Sequence, residues 1–168
     1  MKQAEEAVRR FRERQGFREE IVYDQSKVIE TERSWYIPYT WIGCMGFIVS
    51  KDDLYVNWLG SVYGLSVEHC LWGHEHGVFC DLVDFTFSPD TDKDLVGRLI
   101  PKFQHMHPNA RGKLPLEPVW YRDSEVEAAI ASQFPAFKRH NVWCCIPLLY
   151  DAWEKKGLRF TSVLAKEM

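Results

Sequence analysis

The sequence predicts an α+β fold: an N-terminal helix, an antiparallel sheet of about five or six strands joined by hairpins, and C-terminal helices packed on one face. Apolar residues recur every three or four positions in residues 4–15 and at every second position in much of residues 21–58. The early connections have hairpin length, which favours antiparallel pairing. We expect a single domain over 1–168, with an α+β part at about 1–88 and a helical extension at 89–168 that carries a candidate final strand.

The composition is typical of an ordinary folded domain, with 46% hydrophobic and 27% charged residues among 168. A chain of this length buries about 70% of the surface that its unfolded state exposes. We therefore expect a core that needs no metal and no disulfide. The five cysteines are odd in number and irregularly spaced, which favours reduced thiols.

Charge and hydropathy exclude several classes of partner. The formal net charge of −3 provides no overall positive field for nucleic acid. The N-terminal stretch is charged throughout and lacks the apolar centre of a signal peptide. No window reaches the roughly 18 consecutive apolar residues of a membrane span. We expect a cytoplasmic protein whose partner is neither nucleic acid nor membrane.

The first half begins with a charged helix and continues as strands. A narrow apolar stripe at residues 4–15 predicts the helix, and Gly16 ends it. Short segments rich in β-branched and aromatic residues predict strands at 21–23, 28–31, 35–41 and 46–50. Lys51-Asp52-Asp53 forms a turn, so residues 47–58 are predicted as a hairpin with one buried face.

Helices dominate the second half. Ser66 is a candidate N-cap for a helix through Leu71 that Gly73 ends. Further elements are predicted as a strand at 78–87, a helix capped by 88–92, a helix from about 123, a helix at 147–156 closed by Gly157, and a strand at 158–165. Residues 104–118 are rich in proline, glycine and histidine and are predicted as a linker or a long loop.

Acidic residues are concentrated in the first half of the chain. Residues 1–84 contain 9 basic and 14 acidic side chains, whereas residues 85–168 contain 12 and 10. A basic partner is therefore expected to bind the first half. The acidic candidates for that contact are Asp52, Asp53, Asp81 and Asp84.

The densest group of chemically active side chains lies at residues 69–80. Cys70, His74, His76 and Cys80 are ligand types that zinc accepts, although one short run would strain its geometry. A second interpretation is a surface turn whose two cysteines point inward. A third is a binding loop in which Trp72 is the anchor beside His74, Glu75 and His76. His105 and His107 form a second histidine group.

No common catalytic framework is present. The chain contains no phosphate-binding glycine loop with Lys-Ser/Thr, no G-x-S-x-G and no H-E-x-x-H. We therefore predict a protein without catalytic residues and without a cofactor. The alternative is a zinc-dependent or thiol-dependent enzyme centred on residues 69–80. Cys44, between two glycines, is a further candidate nucleophile, although a buried inert thiol fits the apolar strand that follows.

Two segments carry a resemblance to a known family. They are Glu32-Arg33-Ser34-Trp35-Tyr36-Ile37-Pro38-Tyr39 and, from Gly46 to Val56, an apolar strand, Lys51-Asp52-Asp53 and a second strand ending at Leu59-Gly60-Ser61. Over roughly residues 5–70 the chain resembles the YrhB-type immunity-protein family. Leu54 stands where the family's turn has glycine, and the chain beyond about residue 90 exceeds the usual family length.

The resemblance implies a cytoplasmic antidote. Such a protein binds a cognate bacterial toxin effector, encoded next to it, and neutralises it by direct contact without catalysis. We expect the contact surface to combine the acidic first half with the 72–76 turn, because affinity comes from a few buried anchors and complementary charge. The candidate partner-binding residues are Asp52, Asp53, Trp72, His74, Glu75, His76, Asp81 and Asp84.

Overall fold

The computed structural model describes residues 1–17, 21–41, 43–60, 65–79, 82–105, 119–140 and 145–164. These residues form two compact units, Met1–Glu75 and His76–Met168. Each unit contains helices and one antiparallel sheet. The predicted α+β class is therefore confirmed.

The first unit consists of helices on a four-stranded antiparallel sheet. Its helices are α1 (Lys2–Arg14) and α2 (Val67–Glu75), with a short 3-10 helix at Gln25–Lys27. Its strands are β1 (Ile29–Glu30), β2 (Ser34–Trp41), β3 (Cys44–Ser50) and β4 (Val56–Gly60). They pair in the order β1-β2-β3-β4, so β1 and β4 form the two edges.

The core of this unit lies between α1 and one face of the sheet. Ala4 and Val8 of α1 are buried against an apolar set contributed by β2, β3 and β4: Trp35, Ile37, Phe47, Val49 and Val56. These residues alternate along their strands, as a sheet with one helix-covered face requires. On the outer side of α1, Arg9 forms ion pairs with Glu6 and Glu13.

A charged residue lies buried near the end of α1. Arg12 is buried, with its guanidinium 5.0 Å from the centre of the Tyr39 ring and 5.5 Å from that of Phe17. It also donates a hydrogen bond to the Tyr39 hydroxyl at 3.3 Å. Aromatic faces attract a cation, which offsets part of the cost of removing Arg12 from water.

The second unit is built on a three-stranded antiparallel sheet. Its strands are β5 (Val83–Phe87), β6 (Ala136–His140) and β7 (Phe160–Leu164), in the order β6-β5-β7. Its helices are α3 (Lys93–His105), α4 (Asp123–Ala131) and α5 (Ile146–Lys156). Packed aromatic rings form the centre of the sheet, contributed by Phe85, Phe87, Phe137 and Phe160.

The strands divide between two sheets rather than forming the one sheet of five or six strands that we predicted. The sheet of the second unit is completed by β7, whose Leu164 pairs with Val83. A pairing between residues so distant in the chain leaves no local signal in the sequence. Strand β6 was not predicted, and β5 is shorter than the predicted strand at 78–87.

Predictions of helix ends were confirmed at positions where the residue type determines the local backbone conformation. Ser66 caps α2, because its Oγ accepts a hydrogen bond from the His69 N–H at 3.1 Å. Gly157 follows α5 in the left-handed conformation. Gly73 does not end α2, which continues to Glu75, and residues 21–23 form no strand.

Two further expectations concern the chain as a whole. The prediction of one domain over 1–168, divided at about residue 88, stays a prediction; the boundary between the compact units lies at Glu75 and His76. Among the helices in the described residues, none has the length and apolar character needed to cross a bilayer.

Candidate protein-binding surface

The turn between β3 and β4 is held by its own backbone. The Leu54 N–H donates to the Ser50 carbonyl at 3.2 Å, and the Ser50 N–H donates to the Tyr55 carbonyl at 2.9 Å. Asp53 Oδ1 accepts a hydrogen bond from the Tyr55 N–H at 3.0 Å. That bond favours the ionised carboxylate and lowers the pKa of Asp53. The turn therefore presents a fixed negative charge.

Leu54 has an unusual backbone conformation for a leucine. Its φ is +59°, in the left-handed region where a Cβ crowds the backbone. This is the position at which the resembled family has glycine. The side chain is 39% exposed.

Exposed aromatic side chains follow this acidic turn. Tyr55 is 64% exposed and Trp58 is 45% exposed. One side of the Trp58 ring makes an edge contact with Phe17, with the ring centres 6.3 Å apart. We call Asp52, Asp53, Leu54, Tyr55 and Trp58 the hairpin patch. It contains two carboxylates together with Tyr55 and Trp58, which are three positions apart and therefore lie on opposite faces of the hairpin. Tyr and Trp are the aromatic types enriched at the energetic centres of protein interfaces.

The end of α2 is attached to the loop before β2 through Glu75. Its Oε1 accepts hydrogen bonds from the Thr31 hydroxyl, from Ser34 Oγ at 3.2 Å and from the Arg33 N–H at 3.3 Å. Arg33 also donates to the Glu75 carbonyl oxygen at 3.2 Å. Glu75 therefore has a structural role in the first unit.

Arg33 connects this attachment to the acidic turn. Its guanidinium lies 3.7 Å from an Asp52 oxygen, and its carbonyl accepts a hydrogen bond from the Lys51 N–H at 2.8 Å. The charges of Arg33 and Asp52 also act on His74. Burial lowers the pKa of His74, and the carboxylates of Glu75, Asp53 and Asp52 oppose that effect.

A groove opens beside the hairpin patch. It has a volume of about 860 Å³. One wall is the outer face of α1, and the other is formed by Asp53 and Leu54. The residues of α1 that line it are Gln3, Glu6, Ala7, Arg10, Glu13 and Arg14.

The structure brings together four of the eight predicted partner-binding residues. Asp52, Asp53, His74 and Glu75 interact electrostatically within the first unit. Trp72 is only 8% exposed, so it is not available as the surface anchor that we expected. Trp72 lies within α2, on a buried part of that helix, and not in an exposed turn.

The other predicted residues lie elsewhere or outside the described chain. The His76 ring packs edge-on against Trp153 in the second unit, with the ring centres 4.5 Å apart. Asp84 accepts a hydrogen bond from the Arg139 N–H at 2.9 Å. Asp81, Cys80 and His107 lie outside the described residues, as does most of the predicted loop at 104–118.

The alternative zinc site gains no geometric support. Within the described residues, no group of three or more His, Cys, Asp or Glu side chains is placed to hold a metal ion. Cys70, His74 and His76 therefore form no such group among themselves. The fourth candidate, Cys80, is among the residues that are not described.

The described thiols have environments that oppose nucleophilic chemistry. Burial raises the pKa of Cys70 to about 11. Burial also raises the pKa of Cys44, although hydrogen bonds from the Gly46 backbone and the Trp58 side chain partly offset this effect. Since the thiolate is the reactive form, burial makes both side chains less reactive near neutral pH. Cys145 is likewise buried, and Cys144 lies outside the described residues.

Tyr55, Trp58 and Arg33 are not among the partner-binding residues that the sequence predicts. Alternation along residues 47–58 predicts a hairpin with one buried face. At the edge of a sheet, however, a side chain on the core-facing side remains partly open. Only the strand order shows that β4 is such an edge.

No family model matches the chain, and no curated protein or solved structure matches it either.

Proposed function

We propose that this protein is an immunity protein that binds a cognate toxin effector in the cytoplasm and blocks it by direct contact, without catalysis. The observation that carries the proposal is the hairpin patch, in which exposed Tyr55 and Trp58 accompany two carboxylates. Burying one such aromatic side chain at an interface typically contributes about 2 kcal/mol or more to binding.

The rigidity of the turn also supports a binding role. Asp53 is oriented by the Tyr55 N–H, and Asp52 is adjacent to Arg33. A preformed surface loses little conformational entropy when a partner binds, so more of the contact energy appears as affinity. Inhibition by contact requires only such a surface.

The charge of the first unit indicates the chemistry of the partner. Residues 1–75 contain 9 basic and 12 acidic side chains. Among the described residues, Asp53 has no ion-pair partner. A basic patch on the toxin would complement this charge and accelerate association.

The first test is co-expression with the protein encoded immediately upstream. We expect rescue of cell survival and a stoichiometric complex measurable by isothermal titration calorimetry with the purified proteins. If the upstream protein is harmless, or if no complex forms, the proposal is overturned.

The second test asks whether the hairpin patch forms part of the interface with the toxin. Tyr55→Ala and Trp58→Ala should each weaken the complex about 30-fold, which corresponds to about 2 kcal/mol. Phe134→Ala is the matched control, because it removes an exposed aromatic ring from the second unit. Affinities that stay unchanged in both hairpin variants would remove the hairpin patch from the interface.

The contribution of the carboxylates to binding is tested with substitutions that keep the fold intact. Glu75 is unsuitable because it holds three hydrogen-bond donors in place. The double variant D52N/D53N keeps an acceptor for the Tyr55 N–H and should weaken binding about tenfold. The control D90N/D94N makes the same change of net charge at exposed positions of the second unit.

A further inference from the structure

Strand β4 has an edge that pairs with no other described strand. The register joins Val49 to Val56, Ile48 to Asn57 and Phe47 to Trp58. The Ser50 N–H donates to the Tyr55 carbonyl at 2.9 Å. In an antiparallel ladder the hydrogen-bonded positions alternate. Asn57 therefore faces β3, and the N–H and C=O groups of Val56 and Trp58 face away from it.

This edge lacks the features by which proteins usually prevent strand addition. Exposed edges are commonly protected by lysine, proline, an inward-pointing charge or very short length. The opposite edge of the sheet, β1, has only two residues. The sequence of β4 is VNWLG, which has neither a charge nor a proline.

The groove beside the hairpin patch provides space for an additional chain. Helix α1 has 13 residues, so it extends for about 20 Å. An extended segment of five or six residues has a similar length of about 17–20 Å. Such a segment can lie along α1, next to the residues that lead into β4, within the groove of about 860 Å³.

One carboxylate at the groove is available to a basic side chain of the segment. Its lining has three carboxylates and two guanidinium groups, contributed by Glu6, Glu13, Asp53, Arg10 and Arg14. Glu6 and Glu13 already form ion pairs with arginines of α1. Asp53 forms no ion pair with a described residue, so it is the carboxylate that a Lys or Arg of the segment would neutralise.

We infer that the outer edge of β4 binds an extended segment of the partner protein as a fifth strand, with a basic side chain of that segment next to Asp53. This inference depends on the proposed function and specifies how the partner is bound. Main-chain hydrogen bonds to Val56 and Trp58 would supply affinity, and contacts with Tyr55, Trp58 and Asp53 would supply specificity.

Amide hydrogen exchange measured by NMR tests the new strand directly. The probe is the purified protein encoded immediately upstream, added at saturation. Strand addition should slow exchange of the Val56 and Trp58 amides at least 100-fold, while the Asn57 amide, already bonded to β3, changes much less. Binding without protection of Val56 and Trp58 would overturn the inference and leave the proposed function intact.

A pair of substitutions at one position separates the backbone from the side chain. Trp58→Ala removes the ring and keeps the outward N–H, whereas Trp58→Pro removes both. Proline is tolerated at an edge position whose N–H is not used by the sheet. We expect Trp58→Pro to bind at least tenfold more weakly than Trp58→Ala. Equal affinities of two folded variants would overturn the inference.

Two controls complete the test. Thermal melts of both variants show whether each is folded, and the NMR result on the unmodified protein stands whatever their stability. Analytical ultracentrifugation of the protein alone examines pairing of β4 with a second copy. A dimer that Trp58→Pro dissociates would overturn the inference in favour of self-pairing. Absence of any complex with the probe would instead overturn the proposed function, and the inference with it.

Discussion

The Tyr36 ring occupies the space in which a side chain on Gly46 would lie. A Cβ built on Gly46 would be 2.6 Å from a Tyr36 ring carbon and 2.6 Å from the Ile37 carbonyl oxygen. The Tyr36 hydroxyl donates a hydrogen bond to the Met45 carbonyl at 2.6 Å. The register between β3 and β4 shifts here, between Cys44 and Gly46. The ring thus packs directly over a β-bulge in the central strand.

We predict that Gly46→Ala destabilises the protein by about 3 kcal/mol, because the new methyl group meets backbone and the buried Tyr36 ring at a φ of +140°. The measurement is urea unfolding monitored by tryptophan fluorescence. Gly43→Ala is the control: its φ is +82°, with no atom within 4 Å of the added Cβ. It should cost about 1 kcal/mol. Equal losses would show that the Tyr36 contact is unimportant.

Glu75→Ala should destabilise the first unit by about 1–3 kcal/mol. It removes the acceptor used by the Thr31 and Ser34 hydroxyls and the Arg33 N–H, and donors left without a partner are costly. Urea unfolding gives the free energy. Glu32→Ala, at an exposed position, should change stability by less than about 0.5 kcal/mol. A Glu75→Ala variant as stable as Glu32→Ala would contradict the structural role.

Leu54→Asn should stabilise the protein by about 0.5–1 kcal/mol, since asparagine tolerates the left-handed conformation better than leucine does. The expected readout is a higher thermal midpoint. The control is Leu148→Asn, which makes the same substitution at a partly exposed position within α5. That variant should be destabilised. A lower midpoint for Leu54→Asn would show that its side-chain contacts outweigh the backbone strain.

Stability should decrease as the pH falls from about 6.5 to 4, because His140 must stay neutral in the folded protein. His140 is 1% exposed, and burial lowers its pKa to about 4, against the opposing effect of Asp84. Between these values the unfolded chain binds a proton that the folded chain does not. Folding is therefore more favourable at higher pH, with a difference on the order of 3 kcal/mol over this range.

Urea unfolding of wild type and His140→Phe at pH 4.5 and pH 7 measures this effect. The phenylalanine variant keeps a ring beside Phe103, Tyr121 and Phe137 and removes the titrating group. Its stability should depend less steeply on pH than that of wild type. An unchanged slope would exclude His140 as the cause.

The sequence predicted the elements whose backbone conformation depends on residues only a few positions away in the chain. Periodicity located α1 and the β3–β4 hairpin, and capping preferences located Ser66 and Gly157. The acidic turn at Asp52 and Asp53 was also predicted, because turn residues and strand alternation act over only a few positions.

Only the tertiary structure showed that β7 completes the sheet around β5, that Trp72 is buried, and that β4 is an edge strand with Tyr55 and Trp58 exposed. Alternation along a strand reports which side chains share a face. It carries no information on which distant strand is the neighbour, because pairing depends on contacts between residues far apart in the chain. The amino-acid sequence by itself therefore determined the local elements and the acidic character of the first half, and the long-range packing decided which of those residues form a surface.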